Sequence, residues 1–343
     1  MVRLRIISND NCTILCKVEK GGVISSRKGI NIPYLPDSFP SLTTRDLQIL
    51  EAIKDWDLDF LALSFVRGIK DILALRNRIA NFSRPFSIIA KIEKPQALNE
   101  IDEIIEASDG IMIARGDLGV EVPVESVPFW QKRIIFESRC RCKPVIVATQ
   151  MLDSMIRNPI PTRAEVSDVA GAIYDGTDAI MLSGETAIGD FPMESVQTAS
   201  KIARFTEYYA DFVPDVQKIM VNNTDLSSAI SFGAWEIARN LKLTVVVTST
   251  YSGSTARRIS RFRPNIPILA FSPQYHILRL LKLSYGVFPF SVDLCTEPSK
   301  LIEEMKRLTL ASRFGKKGDK IIITAGVPLQ KSGFTNFLQV EEL

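Results

Sequence analysis

The sequence predicts an α/β protein with two domains, a βα repeat followed by an open, doubly wound α/β domain. Three observations predict this. From about residue 41 to 209, extended and helical patterns alternate with a regular beat, and a second alternation runs from about 220 to 343. A chain of 343 residues with 46% hydrophobic content can also bury more than one core, since single cores seldom grow beyond ~250–300 residues.

The opening forty residues lack helical period and read as short β segments with turns at SNDN and EKGG, a small β module. Five strands follow: FLALSFV (60–66), SIIAKIE (87–93), GIMIARG (110–116), PVIVATQ (144–150) and DAIMLSG (178–184). TRDLQILEAIKDW, IKDILALRNRIANF, ALNEIDEIIEAS and FWQKRIIFESRCRCK lie between them, with apolar residues at three- and four-residue intervals, the pattern of amphipathic helices. Each strand ends in a polar or small residue, Ser64, Lys91, Arg115, Thr149 and Ser183, and chemistry gathered on strand carboxyl ends is the habit of βα barrels. The helix ESVQTASKIARFTEYY leads to a linker, DFVPDVQKI, which places the join between 208 and 222. Beyond it TVVVTST, PILAFSP, GVFPFSV and KIIITAG read as the strands of the second domain.

Charge and composition exclude several function classes. The net charge of +3, from 42 basic and 39 acidic residues, comes without a polybasic tract, which argues against nucleic acid. Neither a signal peptide nor a run of ~18 apolar residues is present, so the expectation is a soluble, cytoplasmic protein with no membrane partner. The single histidine, His276, reads as a surface or packing residue on a helix, which disfavours Ser-His-Asp and Cys-His chemistry. Cys12, Cys16, Cys140, Cys142 and Cys295 lack zinc-ribbon spacing and read as reduced structural thiols.

The run KIEKPQALNEIDEIIEASDGIMIARGDLGVEVP (91–123) sets a lysine and two carboxylates at the ends of consecutive strands. Glu93 and Asp117 are hard oxygen ligands suited to Mg²⁺ or Mn²⁺, and Lys91 shares a strand face with Glu93, where it can steady a transferring phosphoryl group. The same spacing also suits an ion pair closing a barrel mouth. Asp117 is expected in a glycine-flanked turn whose free N–H groups can meet an anion. Thr149 can bond substrate or order a water, or serve as a helix N-cap. Thr162 and Glu165 form a capping box, and the loop SGETAIGDFP is ambiguous. In the second domain, Thr250, Ser252, Gly253, Ser254 and Thr255 open a helix after a strand, either as a phosphate loop or as ordinary Ser/Thr capping.

Taken together, KIEKPQAL, IMIARGDLGVEVP, VIVATQMLDSMI, PTRAEVSDVA and IMLSGETAIGDFP resemble the pyruvate kinase family over essentially the whole chain. The resemblance implies phosphoryl transfer from phosphoenolpyruvate to ADP, giving pyruvate and ATP, with Mg²⁺ and K⁺ as cofactors. It gives Lys91 the transferring phosphoryl group, Glu93 and Asp117 the metal, the backbone N–H groups around Ala114, Arg115, Gly116 and Asp117 the substrate carboxylate, and Thr149 the protonation of the enolate. It sets Lys28 and Asn31, in SRKGINIP, near the nucleotide, and makes STYSGSTA an effector phosphate loop in which Tyr251 replaces a lysine of some members. A homotetramer is implied as well.

In fold, the resemblance implies a partial TIM (β/α)8 barrel (strands 4 to 8, residues 34–215), a doubly wound α/β domain (216–343) and a β remnant of the family's lid (1–33). The first three strands, a phosphate-binding arginine and the K⁺ ligands have no counterpart here. An open five-strand section is expected to expose two strand edges and an apolar interior face, and the chain as a truncated or split product is expected to lack normal catalysis. A non-catalytic regulatory partner and a metal-dependent pyruvate or oxaloacetate lyase are the competing readings.

Overall fold

A computed structural model describes residues 2–10, 12–26, 39–84, 86–221, 223–294, 297–328 and 333–343. Lys28, Asn31 and Cys295 lie outside the described residues. The chain divides into two compact units, 1–40 and 41–343. The first contains an antiparallel hairpin, β1 (Arg3–Asn9) with β2 (Ile14–Lys20). Its turn is closed by Asp10, whose Oδ1 accepts from the N–H groups of Cys12 (3.1 Å) and Thr13 (2.6 Å). Backbone donation from Thr13, then Cys12, holds the Asp10 carboxyl below its ordinary value.

In the second unit, β3 (Phe60–Leu63), β4 (Ser87–Ile92), β5 (Gly110–Ala114), β6 (Val145–Ala148) and β7 (Ala179–Met181) form a parallel sheet in sequential order. Alternation decides the two faces. Ile88, Ala90, Ile92, Ile111, Ile113, Val145 and Val147 pack against helices Ile69–Ile79, Ile101–Ala107, Val127–Cys140, Arg163–Tyr174 and Pro192–Tyr209 in the largest core. Each fully buried isoleucine there contributes about 1.5–3 kcal/mol. Ile89, Met112, Ile146 and Ala148 point to the opposite face. An open section of sheet is expected to expose that face, yet these four residues are buried, with Phe60 of β3, Ala179 and Met181 of β7 and Leu283 packed against them.

The other sheet has the order β10 (Val287–Ser291), β9 (Ile268–Ser272), β8 (Val246–Ser249), β11 (Lys320–Ala325), β12 (Phe337–Glu342). β12 runs antiparallel to β11 and all other pairs are parallel. The order reverses between β8 and β11, so helices cover both faces. Helices Leu226–Asn240, Ser254–Ser260 and Tyr275–Leu281 pack on one side, and Pro298–Ala311 on the other.

Three local expectations are corrected. DFVPDVQKI is not a linker, because Val213–Val221 is helical and buries Val216 and Ile219 against Trp235 and Phe262. The helix expected over 97–108 breaks at Glu100, whose carboxylate is drawn off to cap Ile69 N–H at 2.9 Å. Asp117 sits in a short helix, Arg115–Glu121, rather than a turn. Other readings hold. Thr162 and Glu165 make the capping box, and Ser154 also donates to Glu165. Although burial opposes it, these hydrogen bonds keep the Glu165 carboxyl below its ordinary value. His276 is exposed on its helix. The described cysteines are free thiols, and burial pushes Cys140 up to about 11, which disfavours its thiolate at neutral pH. Among the described residues no helix is long and apolar enough to cross a membrane.

The two sheets meet through a seam of buried guanidiniums. Arg263 pairs with Asp178 at 2.8 Å, both side chains at most 5% exposed, and also donates to Gly176 O. Arg139 pairs with Asp215 (2.9 Å) and donates to Arg261 O (3.2 Å). Burial lowers Arg139 to about 10, with the nearby Arg263 adding to the effect.

Candidate active site

The residues singled out in the first sheet gather at the carboxyl edge of β4, β5 and β6. Lys91, next to last in β4, extends from the face opposite the helices and holds two partners: its Nζ is 2.7 Å from Glu93 Oε1 and donates to Ser64 Oγ at 2.9 Å. Glu93 is 2% exposed, and its Oε2 accepts the Phe65 N–H at 2.8 Å. The ion pair that the spacing allowed is thus formed. The next lysine behaves differently. Lys94 is buried in an ion pair with Glu121 at 2.6 Å, which ties the end of β4 to the helix Arg115–Glu121.

β5 hands over to a helix instead of a turn. Ala114 is the N-cap of Arg115–Glu121, and the first N–H groups of such a helix have no intrahelical acceptor. The Gly116 N–H is already committed, donating to Thr149 Oγ1 at 2.6 Å. That hydroxyl in turn donates to Ala148 O at 2.6 Å. Glycine eases the approach, since a Cβ on Gly116 would lie 3.2 Å from Thr149 Oγ1 and 3.4 Å from its Cβ, a contact tight enough to push the hydroxyl aside by a few tenths of an ångström. Asp117 is exposed and, among the described residues, has no ion-pair or hydrogen-bond partner.

Two strand ends carry strain. Phe65, after β3, has φ 55°, while Thr149 and Gln150, after β6, have φ 70° and 54°. A β-branched residue in this region costs about 1–3 kcal/mol and persists only where its surroundings hold it. Thr149 is held from two sides, by Gly116 and by Arg115.

Sequence reasoning missed that second hold. The family resemblance gives Arg115 a role through its backbone, but its side chain is 11% exposed, pairs bidentately with Asp168 (2.5 and 2.6 Å), and donates to Gln131 Oε1 and Thr149 O. Asp168 lies 53 residues away on the helix Arg163–Tyr174, so no local spacing could signal the pair. The loop SGETAIGDFP resolves as structural: Glu185 is buried and accepts from Leu152 N–H and Ser183 N–H.

The loop after β8 is only partly as expected. Gly253 caps Ser254–Ser260 with φ 81°, and Ser252 donates to Ser254. Thr255 turns inward to Thr335 at 2.9 Å, so its hydroxyl is not offered to a ligand. Among the described residues, the Thr250 and Thr324 hydroxyls are buried without a hydrogen-bond partner.

Residues 1–196 match the pyruvate kinase barrel domain and residues 228–341 the pyruvate kinase alpha/beta domain. The chain belongs to the pyruvate kinase family. Over 345 residues it is 41% identical to the pyruvate kinase of Clostridium acetobutylicum, spanning 99% of this chain and 72% of that protein. It is 40% identical to that of Thermotoga maritima over 337 residues, 98% and 72% of the two chains. A crystal structure of a pyruvate kinase from Cryptosporidium parvum superposes with a TM-score of 0.90 at 33% identity, covering 99% of this chain and 70% of that one. By this homology the chain is a glycolytic kinase, and pyruvate kinases use Mg²⁺ and K⁺.

Proposed function

We propose that the chain transfers the phosphoryl group of phosphoenolpyruvate to ADP, giving pyruvate and ATP, at the carboxyl edge of β4 to β6. The observation that carries this reading is the Lys91 ammonium, fixed between Ser64 and Glu93 at a strand end, where a transferring phosphoryl group needs a cation. Lys91 would exchange these partners for phosphoryl oxygens. Glu93 and Asp117 would hold Mg²⁺ or Mn²⁺. Their chemistry fits such an ion, which takes one or two protein carboxylates and leaves its other positions to substrate and water. Bound there, the ion supplies charge neutralisation for the phosphoryl oxygens and the enolate.

The substrate carboxylate would be received by backbone N–H groups of Arg115 and Asp117, in a cradle shaped by Ala114 and Gly116. Thr149 would pass a proton drawn from solvent to the enolate carbon. To do so its hydroxyl must turn away from Ala148 O. Arg115 positions Thr149 by holding its carbonyl. Lys28 and Asn31 are assigned to the nucleotide on their sequence match alone.

The sheet β3 to β7 is read as consecutive staves of a (β/α)8 barrel (34–215). Sequential strand order with the helices gathered on one face supports this, as does the contrast with the reversing order of the C-terminal domain (216–343). The join then falls at the helix Val213–Val221, and 1–33 is read as part of the lid. The loop Thr250–Thr255 would take a phosphorylated effector. It lies at the carboxyl end of β8 beside the reversal point, where open α/β sheets bind ligands, and the orphan hydroxyls of Thr250 and Thr324 support it. A homotetramer working in the cytoplasm completes the reading.

The test uses Mn²⁺ as a spectroscopic probe. Glu93→Gln and Asp117→Asn should each weaken Mn²⁺ binding, followed by electron paramagnetic resonance with phosphoenolpyruvate present, by about tenfold or more. Both should abolish ATP formation in a hexokinase-coupled assay. Unchanged Mn²⁺ binding in both variants would overturn the assignment, and pyruvate released without ATP would overturn the reaction.

A further inference from the structure

The helix Arg115–Glu121 carries Asp117, yet at seven residues it is too short to hold its own shape in water, so its neighbours must place it. Its amino end is pinned by the Gly116 N–H on Thr149 Oγ1. Its carboxyl end is pinned by Lys94, whose Nζ donates to Glu121 Oε1 at 2.6 Å. The two side chains are 3% and 1% exposed. Glu121 Oε2 is buried with no hydrogen-bond partner, so among the described residues Lys94 is the one group that answers this carboxylate. Asp117 and Glu121 stand four residues apart and therefore share a helix face. The face that Lys94 anchors at its buried end is thus the one that presents Asp117 to solvent a turn away.

Lys94 also reaches the segment that holds the other carboxylate. Its Nζ lies 5.6 Å from the centre of the Phe65 ring, a cation–π contact. Phe65 keeps φ 55°, and in that strained conformation its N–H donates to Glu93 Oε2 at 2.8 Å. One ammonium therefore has a contact on the residue that fixes Glu93 and another on the helix that bears Asp117. Lys91 differs in kind: it is partly exposed and can exchange partners, whereas Lys94 is sealed.

A buried ion pair adds little stability over well-packed apolar side chains of similar volume, but it can fix the register of the elements it joins. Two carboxylates on separate elements make a divalent-cation site only if their spacing is held, and Mg²⁺ demands near-ideal geometry at short range. We propose that Lys94 is a positioning residue for the metal site: through Glu121 and Phe65 it sets the spacing of Asp117 and Glu93 before any ion arrives. This rests on the reading of Glu93 and Asp117 as metal ligands. Sealed from solvent, Lys94 acts only through these two partners.

The test sets metal affinity against stability in the full chain, with Mn²⁺ binding followed by electron paramagnetic resonance and melting by circular dichroism. Lys94→Met/Glu121→Leu removes both charges and nearly keeps the volume. It should melt within about 3 °C of wild type while binding Mn²⁺ about tenfold or more weakly. Glu121→Gln keeps the volume and an Oε1 acceptor but leaves the buried ammonium without its counter-ion. It should melt about 5 °C or more lower, while its Mn²⁺ affinity stays within about threefold of wild type. Should Glu121→Gln not fold, the double variant carries the test alone. Affinity that follows stability across the two variants, as a merely structural pair would give, overturns the proposal. Glu93→Gln is the reference. Unchanged Mn²⁺ binding there overturns the ligand assignment and this proposal with it, whereas weakened binding there with wild-type affinity in Lys94→Met/Glu121→Leu overturns this proposal alone.

Discussion

Replacing Lys91 with methionine tests the site and its energetics together. The stem volume is nearly kept, but Glu93, 2% exposed, loses the partner of its Oε1 and retains only the Phe65 N–H on Oε2. Breaking a buried pair by removing one member costs about 3–5 kcal/mol. Lys91 is 24% exposed, so water can reach the vacated side, and the lower figure of about 2–3 kcal/mol applies here. At about 2–4 °C per kcal/mol, the melting temperature should fall by about 4–12 °C. Turnover should fall further than stability explains, by about 10²–10³-fold, the usual effect of deleting one charge-stabilising donor. The double variant Lys91→Met/Glu93→Gln separates the two effects. It removes the stranded charge with its partner, so stability should return to within about 1 kcal/mol of wild type while activity stays lost. Scanning calorimetry and a lactate-dehydrogenase-coupled assay measure both. A Lys91→Met protein as stable as wild type, or a double variant no more stable than the single one, would refute the energetic argument. Turnover within threefold of wild type would refute the role of Lys91.

Gly116→Ala places a methyl 3.2 Å from Thr149 Oγ1, so the hydroxyl must shift; we expect kcat to fall about 10–100-fold with a stability change under about 1 kcal/mol, measured by steady-state kinetics and urea titration. Arg263→Met strands the Asp178 carboxylate, which keeps only the N–H groups of Val145 and Tyr285, and should cost about 3–5 kcal/mol in urea denaturation. Burial raises the Asp175 carboxyl above its ordinary value despite donation from Gln131. Its contribution is therefore fully present below the unfolded value and lost as pH rises through the raised one, so the ionised group is a burden at neutral pH. Asp175→Asn should raise the urea midpoint at pH 7, with the gain vanishing as pH falls below the ordinary carboxylate range.

The sheet strands were legible because a strand buried on both faces leaves an unbroken apolar run, and IIA of β4 and GIMIA of β5 are such runs. Lys91 and Glu93 were legible for the complementary reason, as charges that interrupt the run where the strand surfaces. What escaped were effects that act across distance. Arg115 meets Asp168 through tertiary packing, and Glu100 breaks a helix by reaching for Ile69 N–H. DFVPDVQKI looked like a linker because Pro214 and its acidic neighbours mask an apolar stripe that becomes meaningful only against Trp235 and Phe262. The Gly116 to Thr149 contact depends on a backbone at positive φ, which no residue type at position 149 announces.

The arginine seam between the two sheets bears on how the molecule comes apart. Arg139, Arg261 and Arg263 are each at most 4% exposed, and each donates to, or accepts through its backbone from, the segment opposite. Prying the sheets apart would leave these charges and their carbonyl partners unpaired in an apolar joint until water floods it. Neither half can therefore loosen without burdening the other, and the unit 41–343 should melt as one cooperative block, leaving proteases no durable intermediate to trim.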